Sequence, residues 1–348
     1  MKTQFKETLC YDDVLLQPLK SDIRSRTEVD ITSSIGSCKF ALPIISSPMD
    51  TVTEIAMMGC MSRLGGLGIL HRYNLPIGQA SVVAEFSSTL NQEQQSHRAP
   101  YPAAAIGCTG DYKKRAKYLV ESGAEILCID IAHGHHVLME EAIKSLKDQY
   151  GEEIQIIAGN VATPEAYSDL TEWGADAVRI GIGGGSICST RIQTGHGIPT
   201  FQSVLDCAQV DGAPMIADGG IKSAGDIVKS LAAGADFVML GSMLAGTLES
   251  PGDVLVGKGE KKYKVYRGMA SPEAQTAWRG HTSSLEGVST TIPYKGSVEE
   301  IISKLQNNIR SGLSYSGARS IRELQLKARF IRQTQSGLLE SNTHILQK

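Results

Sequence analysis

The segment Trp173-Gly-Ala-Asp176-Ala-Val-Arg-Ile180-Gly-Ile-Gly-Gly-Gly-Ser-Ile-Cys188 contains the helix end, the strand and the loop from which this fold is deduced. Gly174 ends a helical pattern, an apolar run typical of a buried strand follows, and glycines stand at 181, 183, 184 and 185. Such a run lets the backbone turn tightly and point amides or carbonyls at a ligand. The loop closes on Cys188, a thiol that can act as a nucleophile. The alternative interpretation is a structural cysteine beside an ordinary turn.

The pattern at the start of this segment occurs three times. Ser122-Gly-Ala-Glu125-Ile-Leu, Trp173-Gly-Ala-Asp176-Ala-Val and Ala233-Gly-Ala-Asp236-Phe-Val each end a helix with glycine and enter a strand. Short apolar strands that alternate with helices predict parallel βαβ units. The eight predicted strands are 42–47, 65–70, 103–106, 125–130, 154–158, 176–181, 215–217 and 236–240. Eight successive units favour a closed (β/α)8 TIM barrel, an α/β fold, over an open doubly wound sheet.

The remaining segments are assigned from periodicity and turn residues. Helices are predicted at 54–64, 76–86, 111–122, 136–150, 164–173, 224–233, 297–310 and 321–333. Residues 87–100 are predicted to form a polar surface loop, 254–266 a hairpin, and 270–289 a flap that is either a mobile lid or disordered. The apolar stretch Tyr11–Pro18 is expected to tuck under the domain as an N-terminal plug or strand. Residues 1–348 are thus predicted to be one catalytic domain with a polar C-terminal tail.

Composition excludes several classes of function. The 348 residues are 41% hydrophobic and carry a net charge of −3 without a basic tail, which argues against nucleic acid or a membrane surface as the main ligand. Neither a membrane-spanning apolar run nor a secretory signal is present, so a cytoplasmic protein is expected. Seven cysteines without a C-x-x-C pair suggest neither a disulfide framework nor a thiolate zinc site.

Polar and glycine-rich motifs follow the predicted strands, where a barrel of this kind has its active site. Asp218-Gly219-Gly220 and Gly241-Ser242 follow the last two strands and offer backbone N–H groups to a phosphate ester. A phosphate repels Asp218, which is therefore expected to accept from ribose hydroxyls. The alternative is that these glycines only allow tight turns. Together with Cys188 the two turns suggest a nucleotide whose base faces the thiol.

Several further motifs, in a fixed order, make the chain resemble the IMP dehydrogenase/GMP reductase family over nearly its whole length. The motifs that carry the resemblance are Tyr11-Asp-Asp-Val-Leu-Leu, Ser47-Pro-Met-Asp-Thr-Val-Thr-Glu54, Asp130-Ile-Ala-His-Gly-His135, Ala158-Gly-Asn-Val-Ala-Thr163, Gly181-Ile-Gly-Gly-Gly-Ser-Ile-Cys-Ser-Thr-Arg191, Ala217-Asp-Gly-Gly220, Met239-Leu-Gly-Ser-Met-Leu-Ala-Gly246, Tyr266-Arg-Gly-Met269 and Pro293-Tyr-Lys-Gly296.

The resemblance implies a homotetramer that binds a purine 5′-monophosphate, GMP or IMP, and a nicotinamide cofactor. It implies that Cys188 attacks C2 of the purine, with Thr190 as its polar partner and Glu286 beside the base. The nucleotide would be held by Ser47, Met49, Ser186, Asp218, Gly219, Gly220, Gly241, Ser242, Tyr266, Gly268 and Met269. The cofactor side would be lined by His71, Asp130, Ala132, His133, Asn160 and Arg179. A monovalent cation, K⁺, would bind carbonyls of Gly183, Gly185 and Cys188, with Glu340, Ser341 and Asn342 from a neighbouring tail.

Two absences favour the reductase branch of the resembled family. Dehydrogenases usually carry regulatory CBS repeats where this chain has only the loop 87–100, and they activate water with an Arg-Tyr pair. Between Met269 and Glu286 the only arginine, Arg279, precedes Gly280. We therefore expect NADPH-dependent reductive deamination of GMP to IMP. The motif at 47–54 and the tail at 340–344 look more like dehydrogenases, so an IMP dehydrogenase without CBS repeats, which oxidises IMP to XMP with NAD, is the alternative. A non-catalytic purine-nucleotide sensor is the third possibility.

Overall fold

The structure, a computed structural model, describes residues 5–92, 101–282 and 285–341. The strands of these residues are, in chain order, β1 (Val14–Leu16), β2 (Ser33–Ile35), β3 (Cys38–Phe40), β4 (Ile44–Ser46), β5 (Leu67–Leu70), β6 (Ala103–Ile106), β7 (Ile126–Asp130), β8 (Gln155–Val161), β9 (Ala177–Ile180), β10 (Met215–Asp218), β11 (Phe237–Leu240), β12 (Leu255–Val256), β13 (Lys262–Arg267), β14 (Ser289–Pro293) and β15 (Phe330–Arg332).

The helices lie mostly between the strands of the barrel. In chain order they are α1 (Ile55–Arg63), α2 (Pro76–Gln92), α3 (Tyr112–Glu121), α4 (Val137–Tyr150), α5 (Pro164–Glu172), α6 (Thr190–Thr194), α7 (Thr200–Cys207), α8 (Ala224–Ala233), α9 (Pro272–Arg279), α10 (Val298–Tyr315), α11 (Ile321–Lys327) and α12 (Gln335–Glu340). None of the helices within the described ranges is long and apolar enough to cross a membrane.

Strands β4 to β11 form a closed parallel barrel in sequence order, and this confirms the predicted (β/α)8 fold. The barrel closes where β11 pairs with β4, with Met239 opposite Ile45. Both faces of each strand are covered, one by the barrel interior and the other by helices, which explains why the strands are nearly continuous apolar runs. The polar motifs that follow the strands consequently meet at one end of the barrel.

The amino-terminal end of the barrel is closed by the hairpin of β2 and β3. Phe40 packs edge-on against Phe237, the first residue of β11, with ring centroids 5.4 Å apart. The predicted plug, Tyr11–Pro18, contains the strand β1 but lies elsewhere: β1 pairs with β15, and the Tyr11 hydroxyl hydrogen bonds with Ser230 on α8. The N-terminal segment therefore forms a strand, as one of the two alternatives predicted, while residues 33–40 close the barrel.

Two of the three Gly-Ala-acid repeats share a structural cause. Asp176 accepts a hydrogen bond from the Ile156 amide at 2.6 Å, and Asp236 accepts one from the Met215 amide at 2.8 Å. Each carboxylate thus satisfies a backbone donor near the start of the preceding strand, which would otherwise be buried without a partner.

The predicted loop 87–100 is wrong in its first part. Helix α2 continues to Gln92, because the hydroxyls of Ser87, Ser88 and Thr89 donate to carbonyls one turn back and compete less with the helix than expected. Residues 93–100 lie outside the described residues.

The flap contains regular structure that its sequence did not reveal. Helix α9 begins after Ser271, whose hydroxyl accepts from the Ala274 amide, and Pro272 occupies its first position. The hairpin at 254–266 is confirmed as β12 and β13, and β14 adds a third strand. The predicted helix 321–333 ends at Lys327, because Phe330–Arg332 pairs with β1 instead. The helix predicted at 297–310 continues to Tyr315.

Candidate active site

An open cavity of about 320 Å³ lies at the carboxyl ends of the barrel strands, between the barrel and the flap. It brings together most of the residues that the sequence singled out. Those that line it are Ser47, Met49, Asp130, Ala132, Asn160, Arg179, Gly183, Gly185, Ser186, Cys188, Thr190, Asp218, Gly219, Gly220, Gly241, Ser242, Tyr266, Gly268, Met269 and Glu286. Asn342 lies outside the described residues.

The loop that carries Cys188 is held between the barrel and the flap. Its backbone bridges to the flap at Gly287, the Val288 amide donates to the Ile187 carbonyl at 3.0 Å, and the Ser189 amide donates to the Glu286 carbonyl at 2.9 Å. Cys188 itself is half-buried and lines the cavity. The alternative interpretation, a structural cysteine beside an ordinary turn, therefore does not fit its position.

A chain of hydrogen bonds connects the thiol to a carboxylate. Cys188 Sγ donates to Thr190 Oγ1 at 3.1 Å, and Thr190 Oγ1 donates to Glu286 Oε2 at 2.8 Å. Cys188 and Thr190 come from the loop after β9, whereas Glu286 comes from the flap. The orientation of both bonds allows a proton to pass from the thiol through the hydroxyl to the carboxylate.

Glycine is required at the point where β9 enters this loop. Gly181 has φ +144°, and a Cβ atom there would lie 2.0 Å from the Asp218 carbonyl oxygen. We expect Gly181→Ala to destabilise the fold by about 3 kcal/mol, because the neighbouring backbone must move. Urea unfolding measures this. The matched control is Gly78→Ala in helix α2, where a Cβ would meet nothing within 4 Å and a gain of up to about 1 kcal/mol is expected. Equal effects of the two substitutions would contradict the close approach at Gly181.

The two turns predicted for phosphate lie side by side in the cavity. Gly219 and Gly220 have φ +95° and +78°, and a Cβ on Gly219 would lie 3.0 Å from the Gly185 amide nitrogen. The backbone of the Cys188 loop and the backbone of the Asp218-Gly219-Gly220 turn therefore lie close together. Such a cluster of glycine amides at strand ends is suited to an anionic group.

The third wall of this corner is formed by Tyr266 and the loop after β4. A Cβ on Gly241 would lie 3.1 Å from the Tyr266 hydroxyl and 3.5 Å from both Met49 Sδ and Ser47 Oγ. Burial raises the pKa of Tyr266, which keeps the phenol protonated and able to donate at neutral pH. The Lys295 ammonium donates to the Ser242 carbonyl, so the Pro293-Tyr-Lys-Gly296 motif braces this turn from outside.

A buried arginine joins the predicted ribose side to the predicted cofactor side. Arg179 donates to Asp130 Oδ1 at 2.5 Å and to Asp218 Oδ2 at 2.9 Å, and Asn160 Nδ2 also donates to Asp218 Oδ2, at 2.8 Å. Burial alone would lower the pKa of Arg179, but Asp130 and Asp218 raise it well above its ordinary value. The network therefore joins the two aspartates, from β7 and β10, through one buried guanidinium.

Two polar atoms on the cofactor side are buried without a hydrogen-bond partner among the described residues. They are Asn160 Oδ1 and Arg72 Nε, the second of which lies 3.9 Å from Asp130 Oδ2, beyond hydrogen-bond distance. An acceptor and a donor left unsatisfied beside a cavity are suited to the amide and hydroxyl groups of a nicotinamide nucleotide. Arg72 and Tyr73 line the cavity, although the sequence reasoning missed them. Their position directly after β5, next to the predicted His71, was the available signal.

Four predicted residues do not line the cavity. The His71 imidazole is buried, its Nδ1 accepts from the Tyr73 amide, and its Nε2 contacts Glu54. His133 is exposed after β7. Glu340 ends helix α12, and Ser341, which follows it, hydrogen bonds to Gln333.

Of the residues predicted for the cation site, Gly183, Gly185 and Cys188 line the cavity, whereas Glu340 and Ser341 do not. The Gly185 carbonyl accepts from the Cys188 amide at 3.1 Å, and the Arg191 side chain packs so closely on Gly183 that a Cβ there would lie 2.9 Å from Arg191 Nε. Within the described part of the chain, no group of three or more His, Cys, Asp or Glu side chains is placed to hold a metal ion. Completion of a K⁺ site by the tail of a neighbouring subunit stays a prediction.

Comparison with known proteins shows the family to which this chain belongs. A sequence model of the IMP dehydrogenase / GMP reductase domain matches residues 8–344. The chain is 34% identical to GMP reductase from Leishmania major, with 98% of each protein covered, and 36% identical to inosine-5′-monophosphate dehydrogenase from Cryptosporidium parvum, with 97% of this chain and 94% of the relative covered.

Its structure is similar to that of a cysteine-to-alanine variant of GMP reductase from Trypanosoma brucei in complex with guanosine 5′-monophosphate. The TM-score is 0.91 at 33% identity, and the match covers 98% of both chains. The order of the motifs, the closed barrel, the position of Cys188 and these matches lead to one conclusion. The chain belongs to the IMP dehydrogenase/GMP reductase family of oxidoreductases.

Proposed function

We propose that the protein is a GMP reductase, which converts GMP to IMP and ammonia with NADPH through a covalent bond between Cys188 and C2 of the purine. The observation that carries the proposal is the hydrogen-bonded chain from the Cys188 thiol through Thr190 to Glu286. It supplies a base for the thiol and an acid for the leaving amine at one place, and reductive deamination needs both.

The substrate is oriented by contacts remote from the reacting atoms. The phosphate binds at the Gly219-Gly220 and Gly241-Ser242 turns, the ribose lies against Asp218, and the base reaches Cys188. The complex of the Trypanosoma brucei reductase with guanosine 5′-monophosphate supports this class of ligand. Fixing the nucleotide at its phosphate makes the attack on C2 effectively intramolecular, which can contribute several kcal/mol to lowering the barrier.

The first half of the reaction replaces nitrogen by sulfur at C2. The thiol proton passes to Glu286 through Thr190, the thiolate adds to C2, and N3 of the purine takes a proton from water. The amine then departs as ammonia, taking the proton from Glu286, while N3 returns its proton to water and the C2–N3 double bond forms again. The product is a thioimidate that joins Cys188 to the purine, and the carboxylate is restored.

The second half needs a reductant on the other side of the base. The nicotinamide cofactor supplies a hydride to C2 when it is bound. On this chain Asn160 and Arg72 offer the unsatisfied acceptor and donor that would hold it, and Asp130 and Arg179 form the adjoining charged wall. As the carbon–sulfur bond breaks, Cys188 leaves as thiolate and IMP is released.

An IMP dehydrogenase forms the same thioimidate from IMP but must hydrolyse it. Arg279, the only arginine between Met269 and Glu286, stacks on the Tyr73 ring at 5.1 Å rather than beside Cys188. This supports reduction over hydrolysis, because the flap offers no Arg-Tyr pair to activate water. IMP dehydrogenase remains the second candidate, since relatives of that activity are 33–36% identical to this chain.

The test is an assay of the purified protein at 340 nm with GMP and NADPH, in parallel with IMP and NAD. We expect oxidation of NADPH with one ammonia released per NADPH consumed, and no net formation of NADH from IMP. NADH in place of NADPH tests the cofactor preference. Turnover only with IMP and NAD would make the protein a dehydrogenase, and nucleotide binding without either reaction would make it a sensor.

We further infer that the enzyme works as a cytoplasmic homotetramer that binds K⁺. Support for self-association comes from exposed apolar side chains at and near β12, including Leu248 and Val256, which are 62% and 69% exposed. Light scattering measures the assembly, and activity in K⁺ against Li⁺ measures the cation requirement. A monomer with full activity in the absence of K⁺ would contradict this inference.

A further inference from the structure

The carboxylate of Asp50 binds the last turn of the flap helix α9 and the end of the strand β13 that leads into the flap. Asp50 Oδ2 accepts from Arg267 Nη2 at 2.6 Å and Nε at 3.0 Å, and from Trp278 Nε1 at 2.7 Å. The Asp50 side chain is only 1% exposed. It lies in the loop after β4, whereas Arg267 ends β13 and Trp278 lies in α9. A single buried carboxylate therefore connects the barrel to the segments before and within the flap.

Weaker contacts reinforce the same junction. The Arg267 amide donates to Thr51 Oγ1 at 3.3 Å, and the Asp50 amide lies 3.3 Å from Met269 Sδ. The Trp278 ring lies 5.8 Å from the His71 ring, whose residue does not reach the cavity. Helix α9 thus rests on the end of β5, next to the cofactor half of the cavity.

In sequence, helix α9 leads into the segment that carries Glu286, whose backbone also pairs with the Cys188 loop through the Glu286 carbonyl and the Val288 amide. Only a few residues separate Arg279, the end of α9, from Glu286, and Glu286 must reach Thr190 at 2.8 Å. Asp50 is not among the residues that line the cavity. An asparagine at position 50 would offer Arg267 and Trp278 one amide oxygen and no charge, which weakens both contacts.

We propose that Asp50 is a positioning residue, which docks helix α9 through Arg267 and Trp278 and so keeps Glu286 within hydrogen-bond distance of Thr190. The expected effect on kcat rests on the proposed function, whereas the docking of helix α9 by Asp50 is independent of it. Asp50→Asn is expected to lower kcat for GMP reduction by about 10- to 100-fold, because a displacement of about 1 Å at Glu286 is enough to have such an effect. The Kd of GMP is expected to change by less than about threefold, since most of its proposed phosphate and ribose contacts, at Asp218 and at the glycine turns after β10 and β11, lie on other loops than Asp50.

Tryptophan fluorescence gives a readout that does not depend on turnover. The chain has two tryptophans, Trp173 and Trp278, so Trp173→Phe leaves Trp278 as the only one. In this background Asp50→Asn is expected to make Trp278 more accessible to acrylamide and to shift its emission to the red. The matched control is Asp169→Asn, at an exposed carboxylate that binds His135 away from the flap; it should change neither kcat nor quenching.

Trp278→Phe keeps an aromatic ring but removes the indole N–H that donates to Asp50. This variant is used for the test if Asp50→Asn fails to fold. A smaller loss of kcat, about 3- to 10-fold, is expected with unchanged GMP binding. Unchanged kcat in the folded variants, or a loss of kcat without a change in Trp278 quenching, would overturn the proposal. If the wild-type protein does not reduce GMP, the proposed function fails. The docking of α9 by Asp50 is then tested by acrylamide quenching alone. Equal quenching of Trp278 with and without Asp50→Asn would refute the docking.

Discussion

Replacing Cys188 by alanine is expected to lower kcat for GMP reduction by at least about 10⁴-fold, while GMP still binds. The thiol is the only nucleophile in the hydrogen-bonded chain with Thr190 and Glu286, so its loss removes covalent capture altogether. Contacts at the phosphate turns and at Asp218 do not involve the sulfur. Steady-state kinetics and equilibrium binding of GMP therefore separate the two effects.

The matched control for this substitution is Cys108→Ala. Cys108 is a free, buried cysteine that does not line the cavity, so its replacement should leave kcat within about twofold of wild type. Residual turnover above about one per cent in Cys188→Ala would remove the covalent mechanism, because no other thiol reaches the cavity within the described residues.

The second large effect is expected for Glu286→Gln, with a loss of about 10²- to 10³-fold in kcat. Glutamine has nearly the same size and still accepts from Thr190, but it cannot take up and return a proton. Departure of ammonia should be affected most. Transfer of hydride from IMP to NADP⁺ in the reverse direction involves no leaving amine, so we expect it to decrease by less. Rapid-quench measurement of ammonia and stopped-flow absorbance at 340 nm follow the two steps separately.

Glu273→Gln provides the comparison within the same flap. Glu273 is exposed on α9 and has no proposed role in the reaction of the thiol. Its replacement is therefore expected to change neither step. Equal losses in both steps for Glu286→Gln would mean that Glu286 positions the base instead of transferring a proton.

The barrel was predictable because its signals are local. Apolar runs that end in glycine, and the Gly-Ala-acid pattern whose carboxylates bind strand amides, occur within single βα units. The flap was not predictable in the same way. Helix α9 is stabilised by Ser271 and Pro272 at its start but docks through Asp50, a residue more than two hundred positions away. The end of α11 was misassigned because β15 exists only through its pairing with β1.

The site shows the same division between local and distant contacts. The glycine turns and Cys188 were identified from their own neighbourhoods, whereas the roles of Thr190 and Glu286 were implied only by the family resemblance. The hydrogen bond between these two residues spans the barrel and the flap and was not predicted. His71 was assigned to the cavity from its place after β5, but the next two residues, Arg72 and Tyr73, are the ones that line it. A strand end predicts the region of a site, and side-chain packing decides which residue faces it.

The most direct test is intact-mass analysis of the wild-type protein after acid quenching of a mixture with GMP and NADP⁺, which fills the cofactor site without supplying hydride. The account predicts an added mass equal to GMP less ammonia, located by peptide mapping on Cys188, with a matching amount of free ammonia. Release of ammonia from GMP without any adduct on Cys188, or an adduct on a different cysteine, would contradict it.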